Sequence, residues 1–234
     1  MYEAARADPN DEGSVRRLAA TAAAYGFDGL VVRNANEGRL SSAIGPAADA
    51  AGVDVVDGAA VTASDPHGAS GAVGNVRTEH SIVIVRGGSP SMNRFAVENE
   101  KVDVLSKPMA GEGDFNHVLA KSAAENGVRV EFDLGPALRT TGGRRVRALQ
   151  GLRKLRELVD YYDAPHVVSA TPADRLELRA PRDVCALGEQ LGLPASWIEE
   201  GLVEWGRLAA RNRRIGSDSF IEPGVERGPY EEDG

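Results

Sequence analysis

Cysteine is almost absent from this chain of 234 residues: Cys185 stands alone, which excludes an intramolecular disulfide framework and any Cys-x-x-Cys zinc or redox pair. Lysine is scarce too. Only Lys101, Lys107, Lys121 and Lys154 occur among 27 basic residues, so the other 23 are arginine. Aromatic residues make up 5%, and no interleaved rings of the kind that stack single-stranded bases are present. No apolar run approaches the ~20 residues of a membrane span. The opening MYEAARADPNDEG has no apolar stretch behind a basic start, so no secretory leader is expected. A soluble, cytoplasmic protein without membrane contact is the expectation. Also missing are a GxSxG nucleophile elbow, a Walker A loop and any HxH, HExxH or HxxxH pair. His67, His80, His117 and His166 each stand apart, without the spacing that brings two metal ligands to one strand end or helix face.

What remains is a globular composition. Hydrophobic residues make up 42%, and a chain of this size buries roughly 70% of its unfolded surface, so it needs no disulfide or metal to hold a core. Asp and Glu (35) outnumber Lys and Arg (27), for a net charge of −8. That weighs against nonspecific nucleic-acid binding, which relies on neutralising phosphates, but leaves room for a local arginine face. Abundant Ala, Gly, Val, Asp and Glu beside scarce Lys fits a high-GC genome and a salt-rich cytoplasm.

Short β-branched runs alternate with helical stretches. Strands are predicted over 2–6, 30–33, 53–60, 81–86, 102–105, 128–134 and 167–169. Helices are predicted over 14–25, 41–51, 92–99, 114–126, 143–162, 182–191 and 196–213. Within them Val15, Leu18, Ala22 and Tyr25 form one stripe, Ala148, Leu152, Leu155, Val159 and Tyr162 a second, and Ile198, Leu202, Trp205 and Ala209 a third. Asp114 is a candidate N-cap, 143–162 reads as the longest helix, and Ser196 to Glu199 fits a capping box. The glycine-rich 63–78 reads as an extended loop. About seven apolar strands, most followed by a helix, predict an α/β fold with parallel strands covered by helices, favouring an incomplete or distorted barrel. No linker divides the chain, so 1–215 is expected to form one domain and 216–234, rich in Gly, Pro and acid, a flexible surface tail.

Chemistry-bearing residues are few. Cys185 lies in an amphipathic helix, where a small buried apolar side chain is the expectation. Asp57, Glu131 and Asp133 sit at or near strand ends, where barrel enzymes keep catalytic groups, though a loop-anchoring carboxylate explains each as well. The bases are more suggestive. Arg33 and Arg86 end strands and Lys107 follows another, so parallel strands would gather all three on one rim. Arg144, Arg145, Arg147, Arg153, Lys154 and Arg156 lie on or just before one helix, and Arg175, Arg179 and Arg182 follow the last strand. A solvated face accounts for any one of them. Together they predict a phosphate-contacting surface, with Arg33, Arg86, Lys107, Arg144, Arg145, Arg147, Lys154 and Arg175 as the candidates.

Five stretches carry a family likeness: YGFDGLVVRN from Tyr25, VDVVDGAAVTASDP from Val53, VDVLSKPMAGEGDFNHVLAKSAAENGVRVEFDL from Val102, RALQGLRKLRELVDYYDAPHVVSATP from Arg147, and SFIEPGVERG from Ser219. Over essentially its whole length the chain resembles ribonuclease P protein component 3, the archaeal counterpart of the thirty-kilodalton eukaryotic subunit, in a halophilic version. The resemblance implies a PHP-type distorted barrel of about seven mainly parallel strands, related to the TIM barrel. PHP enzymes hold metals through an HxH after the first strand. Here Ala5 and Ala7 stand at those positions, Lys107 precedes Pro108 where a His-Pro is expected, and 169–172 (SATP) offers no ligand, so the resemblance implies an erased metal site and no catalytic residue.

It further implies a protein subunit of the endoribonuclease that removes the 5′ leader of precursor tRNA. The RNA subunit, with Mg²⁺, does the chemistry. This chain would bind no cofactor, would stabilise the ribonuclease P RNA together with protein component 2 and the other protein subunits, and would meet pre-tRNA through the complex. The rival reading is a free-standing PHP-type metal-dependent phosphoesterase, which needs several ligands converging on one rim.

Overall fold

The computed structural model describes residues 1–11 and 13–217, together with the backbone of 220–222 and 225–226. Seven strands, β1 (Tyr2–Ala5), β2 (Gly29–Val32), β3 (Asp54–Val61), β4 (Ile82–Arg86), β5 (Val104–Ser106), β6 (Arg129–Asp133) and β7 (His166–Ser169), pair in chain order. Every ladder among them is parallel. Nine helices among the described residues surround them: α1 (Ser14–Ala24), α2 (Leu40–Ala51), α3 (Pro66–Arg77), α4 (Pro90–Glu98), α5 (His117–Asn126), α6 (Gly135–Arg139), α7 (Gly142–Tyr162), α8 (Pro181–Gln190) and α9 (Ala195–Ile215). The result is the nearly closed α/β barrel that the strand rhythm predicts.

No ladder joins β7 to β1. A side chain bridges that seam instead: the Glu3 carboxylate accepts from the Ala170 N–H at 3.0 and 3.2 Å and from the Ala4 N–H at 2.9 Å. One backbone bond, Arg6 N–H to Pro172 O at 2.8 Å, supports it. Burial pushes the Glu3 carboxyl up to about 8, with the two N–H donors and Arg33 pulling the other way.

Alternate residues of each strand face opposite sides. Leu30, Val32, Val83, Val85, Leu105, Val130 and Phe132 pack outward under the helices. Ala4, Val31, Val56, Ile82, Ile84, Val104 and Val167 face inward and meet Trp205, Leu208 and Ala209 of α9. Trp205 is fully buried and its Nε1–H donates to Val168 O at 2.9 Å. Helix α9 thus closes the barrel at the N-terminal ends of the strands. It can approach only because Gly201 and Gly206 lack a Cβ: one at Gly201 would lie 2.5 Å from Val168 Cγ2, and one at Gly206 2.5 Å from the Tyr2 ring.

Four local expectations are corrected. The segment 63–78 is mostly helical, not a loop. Asp65 caps α3 by accepting from the Gly68 N–H at 2.9 Å, Pro66 sits in its first turn, and Ala69 and Val73 bury against the sheet. Gly71 and Gly74 face open space, so the glycines lower helix propensity without costing packing. Helix α5 is capped by Asn116, whose Oδ1 accepts from Val118 and Leu119, not by Asp114. Helix α9 starts after Pro194 with no side-chain cap, so Ser196 and Glu199 form no capping box there. It matches α7 at 21 residues, so α7 is not uniquely the longest. The stripes hold in their centres: Val15, Leu18 and Ala22 are buried on α1, Leu152, Leu155 and Val159 on α7, and Ile198, Leu202, Trp205 and Ala209 on α9, whereas Tyr25, which follows the last turn of α1, is exposed and Ala148 and Tyr162 are half-buried. Of the expected tail, Phe220–Glu222 and Val225–Glu226 pair as an antiparallel hairpin; most of its other residues lie outside the described ones. No helix among the described residues is long and apolar enough to cross a membrane.

Candidate nucleic-acid interface

The strand alternation that makes the barrel interior apolar at one end makes it polar at the other. Arg33 directly follows β2 and Glu131 lies on β6, 98 residues away, and they meet inside the barrel as a two-pronged pair with Nη1–Oε1 2.6 Å and Nη2–Oε2 2.9 Å. Ser169 Oγ donates to Glu131 Oε1 at 2.8 Å. Burial works against both charges and is outweighed by each for the other: Glu131 is held below the ordinary carboxylate range and Arg33 above the ordinary guanidinium value.

Asp133 lies beside this pair. Its Oδ1 accepts from the Gly135 N–H at 2.9 Å and from Thr171 Oγ1 at 2.6 Å. Its Oδ2 is buried without a hydrogen bond, and Lys107 Nζ stands 3.6 Å away. Lys107 (φ 51°) and Thr171 (φ 45°) both adopt the left-handed region, which is uncommon for a residue with a Cβ and an outlier for a β-branched one. Such strain persists only where the surroundings enforce it, and here both residues clamp one carboxylate.

This donor set does not fit a PHP-type metal centre. Ala5 and Ala7 are buried, and Ala7 is fixed through its backbone by Asn34, whose Oδ1 accepts its N–H and whose Nδ2 donates to its carbonyl, both at 2.9 Å. The remaining interior carboxylates already face cations, Arg33 on Glu131 and Lys107 toward Asp133. Among the described residues no group of three His, Cys, Asp or Glu is placed to share an ion. His166 stacks on Trp197 with centroids 3.8 Å apart, and His80 sits 3.4 Å from Asp57 at the opposite end of the barrel. These histidines serve packing and local pairing.

The eight basic candidates divide into committed and uncommitted groups. Arg33 is buried and bound through both Nη atoms to Glu131. Lys154 is paired to Asp114 at 2.6 Å, and Lys107 leans toward Asp133. Arg86 at the end of β4, Arg144, Arg145 and Arg147 on the first half of α7, and Arg175 after β7 are exposed, and their guanidiniums make no hydrogen bond or ion pair among the described residues. Arg153, one turn and a half further along α7, is exposed in the same way. The fold therefore brings Arg144, Arg145, Arg147 and Arg153 together on one helix, while Arg33 belongs to the interior.

Two further exposed arginines, Arg16 and Arg39, line a cavity of about 660 Å³ between α1 and α2. Sequence reasoning missed them, because only helix packing brings them together. Arg139, also missed, anchors the loop after β7 by donating to Ala170 O and Thr171 O at 2.9 and 3.0 Å.

Known proteins place this architecture in a family. The RNase P subunit p30 family matches residues 1–215. Ribonuclease P protein component 3 of Halorubrum lacusprofundi is 56% identical over 241 aligned residues, covering all of both chains. The protein of the same name from Haloarcula marismortui is 54% identical, covering 96% of each chain, and that of Methanococcoides burtonii is 35% identical over 93% of this chain. Among solved structures, a chain in the archaeal ribonuclease P complex with mature tRNA superposes with a TM-score of 0.82 at 23% identity, covering both chains completely. An uncharacterized protein matches with a TM-score of 0.54 at 12% identity, over 91% of this chain and 73% of its own. With the family matched across nearly the whole barrel and close relatives in halophilic archaea, the chain belongs to the RNase P subunit p30 family, as a relative of ribonuclease P protein component 3.

Proposed function

We propose that this chain is a noncatalytic, RNA-stabilising subunit of ribonuclease P and that α7 supplies its phosphate-contacting face. Within the holoenzyme the RNA subunit, with Mg²⁺, cleaves the 5′ leader from precursor tRNA, and this chain with protein component 2 stabilises the RNA in the cytoplasm. The observation that carries the reading is the run of uncommitted arginines at 144, 145, 147 and 153 on a protein of net charge −8, most of whose other arginines are tied to acids or carbonyls. The first turn of α7 contains no acid and no side-chain cap, so its free N–H groups add a further attraction for phosphate. Concentrated salt shrinks the gain from counterion release, which makes the two-pronged geometry of arginine more useful than the point charge of lysine.

The test is reconstituted pre-tRNA cleavage with Arg144→Ala/Arg145→Ala against a control, Arg94→Ala/Arg207→Ala, whose arginines are paired within their own helices to Glu98 and Glu204. The first double variant should need more Mg²⁺ for half-maximal cleavage and should flatten the salt dependence of RNA binding by about one unit of log–log slope per lost contact. Wild-type Mg²⁺ demand in the folded variant would remove α7 as the RNA face. Two further measurements check the remaining parts. The purified chain should not turn over phosphoesters with Mn²⁺, Mg²⁺ or Zn²⁺, and turnover abolished by Asp133→Ala would revive the phosphoesterase. In high-salt size exclusion it should co-elute with protein component 2, and separate elution at micromolar concentration would count against that pairing.

A further inference from the structure

A cavity of about 320 Å³ opens at the C-terminal rim of the barrel, between the loop after β5 and α7. Its size lies at the lower end of the range for small-molecule pockets. Met109, Leu152 and Leu155 give it an apolar lining. Met109 lies close to α7 at Gly151, where an added Cβ would meet Met109 Cβ at 3.4 Å. Asp133 lines it together with Lys107, whose Nζ stands 3.6 Å from Asp133 Oδ2, and the exposed Arg147 lines it from α7.

The chemistry lining this slot is mixed. Asp133 Oδ2 is a buried acceptor with no hydrogen bond, and Lys107 Nζ at 3.6 Å is beyond hydrogen-bond reach. Buried acceptors of this kind are rarely left unsatisfied, so Asp133 calls for a donor. The apolar lining suits a flat apolar body, and Arg147, with an uncommitted guanidinium, calls for an anion. A divalent cation is disfavoured by Lys107 and Arg147, and by the engagement of Glu131 with Arg33. A bare anion is disfavoured by Asp133.

We infer that the cavity receives one nucleotide, with an exocyclic amino group of its base donating to Asp133 Oδ2, the base lying along the apolar lining of Met109 and Leu152, and its phosphate on Arg147. The inference rests on the RNA-binding reading above, because the source of the nucleotide is an unstacked residue of the RNA, whose base edges become readable once splayed out. It deepens that reading: the arginines of α7 hold phosphates without regard to sequence, and this slot adds one base contact.

The test titrates the full chain with AMP, ribose 5-phosphate and N6,N6-dimethyl-AMP, reading amide shifts of Met109, Asp133 and Gly151, and measures binding of ribonuclease P RNA in parallel. AMP should saturate. Ribose 5-phosphate, which lacks the base, and the dimethyl analogue, which lacks the donor, should each bind at least about tenfold more weakly, the loss expected for one hydrogen bond to a charged group. Ala148→Leu, which fills the slot without altering a charge, should abolish AMP binding. No saturable AMP binding, or equal binding of all three ligands, overturns the nucleotide site. Those ligand comparisons use the wild-type chain, so they decide the matter even if the variant folds poorly. RNA binding without AMP selectivity leaves the phosphate face standing and removes the slot. AMP selectivity without RNA binding keeps the slot and removes RNA as its source.

Discussion

The two ends of the barrel both concentrate arginine and use it differently. At the N-terminal end of the strands the guanidiniums of Arg77, Arg129, Arg211 and Arg213 are committed. Arg77 is paired to Asp103 and donates to the carbonyls of His80 and Ser81 at 2.7 and 2.8 Å. Arg211 and Asn212 reach the same Asp103 at 3.2 and 2.9 Å, Arg129 holds Glu204 at 2.8 Å, and Arg213 grips Asp54 with two bonds of 2.8 and 2.9 Å. Burial, with Arg129 and Arg77 nearby, lowers the pKa of Arg211, a mark of cations crowded around shared acids. At the other end Arg33 is held by Glu131, Arg6 by Glu37 at 2.6 and 2.8 Å, and Arg139 by the carbonyls of Ala170 and Thr171, but a further set is not held at all. Arg86 and the arginines of the first half of α7 have no acid within reach among the described residues. Charge commitment, not charge count, separates an architectural end from one available to a polyanion.

The sharpest way to break this comparison is to attack the buried Arg33–Glu131 pair inside the C-terminal end. Glu131→Gln leaves Arg33 buried without its counter-charge and should cost about 3–5 kcal/mol in urea denaturation, whereas Arg33→Met with Glu131→Leu should recover most of the loss. A cost below about 1 kcal/mol would mean that Arg33 is as free as its neighbours on α7.

A smaller effect is expected at the seam. Glu3 has its carboxyl raised to about 8 from an ordinary 4.5, so the folded state holds this proton more tightly than the unfolded chain. The contribution is fully present below about pH 4.5 and lost as pH rises through about 8. Glu3→Gln keeps an acceptor for the Ala170 N–H and removes the titration. Wild-type stability relative to the variant should therefore fall by up to a few kcal/mol across that window. A pH-independent difference would mean that Glu3 stays ionised throughout.

The comparison between the ends is sharpened by a crossed pair of measurements. Arg211→Ala/Arg213→Ala should lower stability by about 1 kcal/mol, because its two ion pairs are half-exposed, and should leave the salt slope of RNA binding unchanged. Arg144→Ala/Arg145→Ala should do the reverse. Equal salt slopes in the two variants would erase the distinction. The smallest effect belongs to Lys154→Met. Its ammonium is tied to Asp114 in an exposed pair, so stability should move by less than about 1 kcal/mol and RNA affinity by less than in either α7 arginine variant.

Much of the barrel is written locally in the sequence. Runs such as Ile82 to Arg86 and stripes such as Leu152, Leu155 and Val159 repeat at the period of their element, and that period survives whatever the rest of the chain does. The same holds for the α9 face of Ile198, Leu202, Trp205 and Ala209. Helix α3 was illegible because Gly68, Gly71 and Gly74 suppress helix propensity, while its stability comes from docking Ala69 and Val73 on the sheet. The site was legible as residue types and not as roles. Arg33, Arg86 and Arg147 look alike in sequence. Nothing within several residues of Arg33 announces that Glu131, 98 positions later, will take its guanidinium, or that nothing among the described residues will take those of Arg86 and Arg147.

The sequence by itself determined the order of the seven strands, the parallel α/β class and the family, because each depends on neighbouring residues or on identity at a position. Only the tertiary structure decided which cations are spent inside the fold and which face outward, that Glu3 bridges the open seam, and that α9 closes one mouth. These depend on which strand ends share a rim and on distances between residues far apart in the chain. An ion pair or a buried acceptor is a property of that geometry, and no local pattern encodes it.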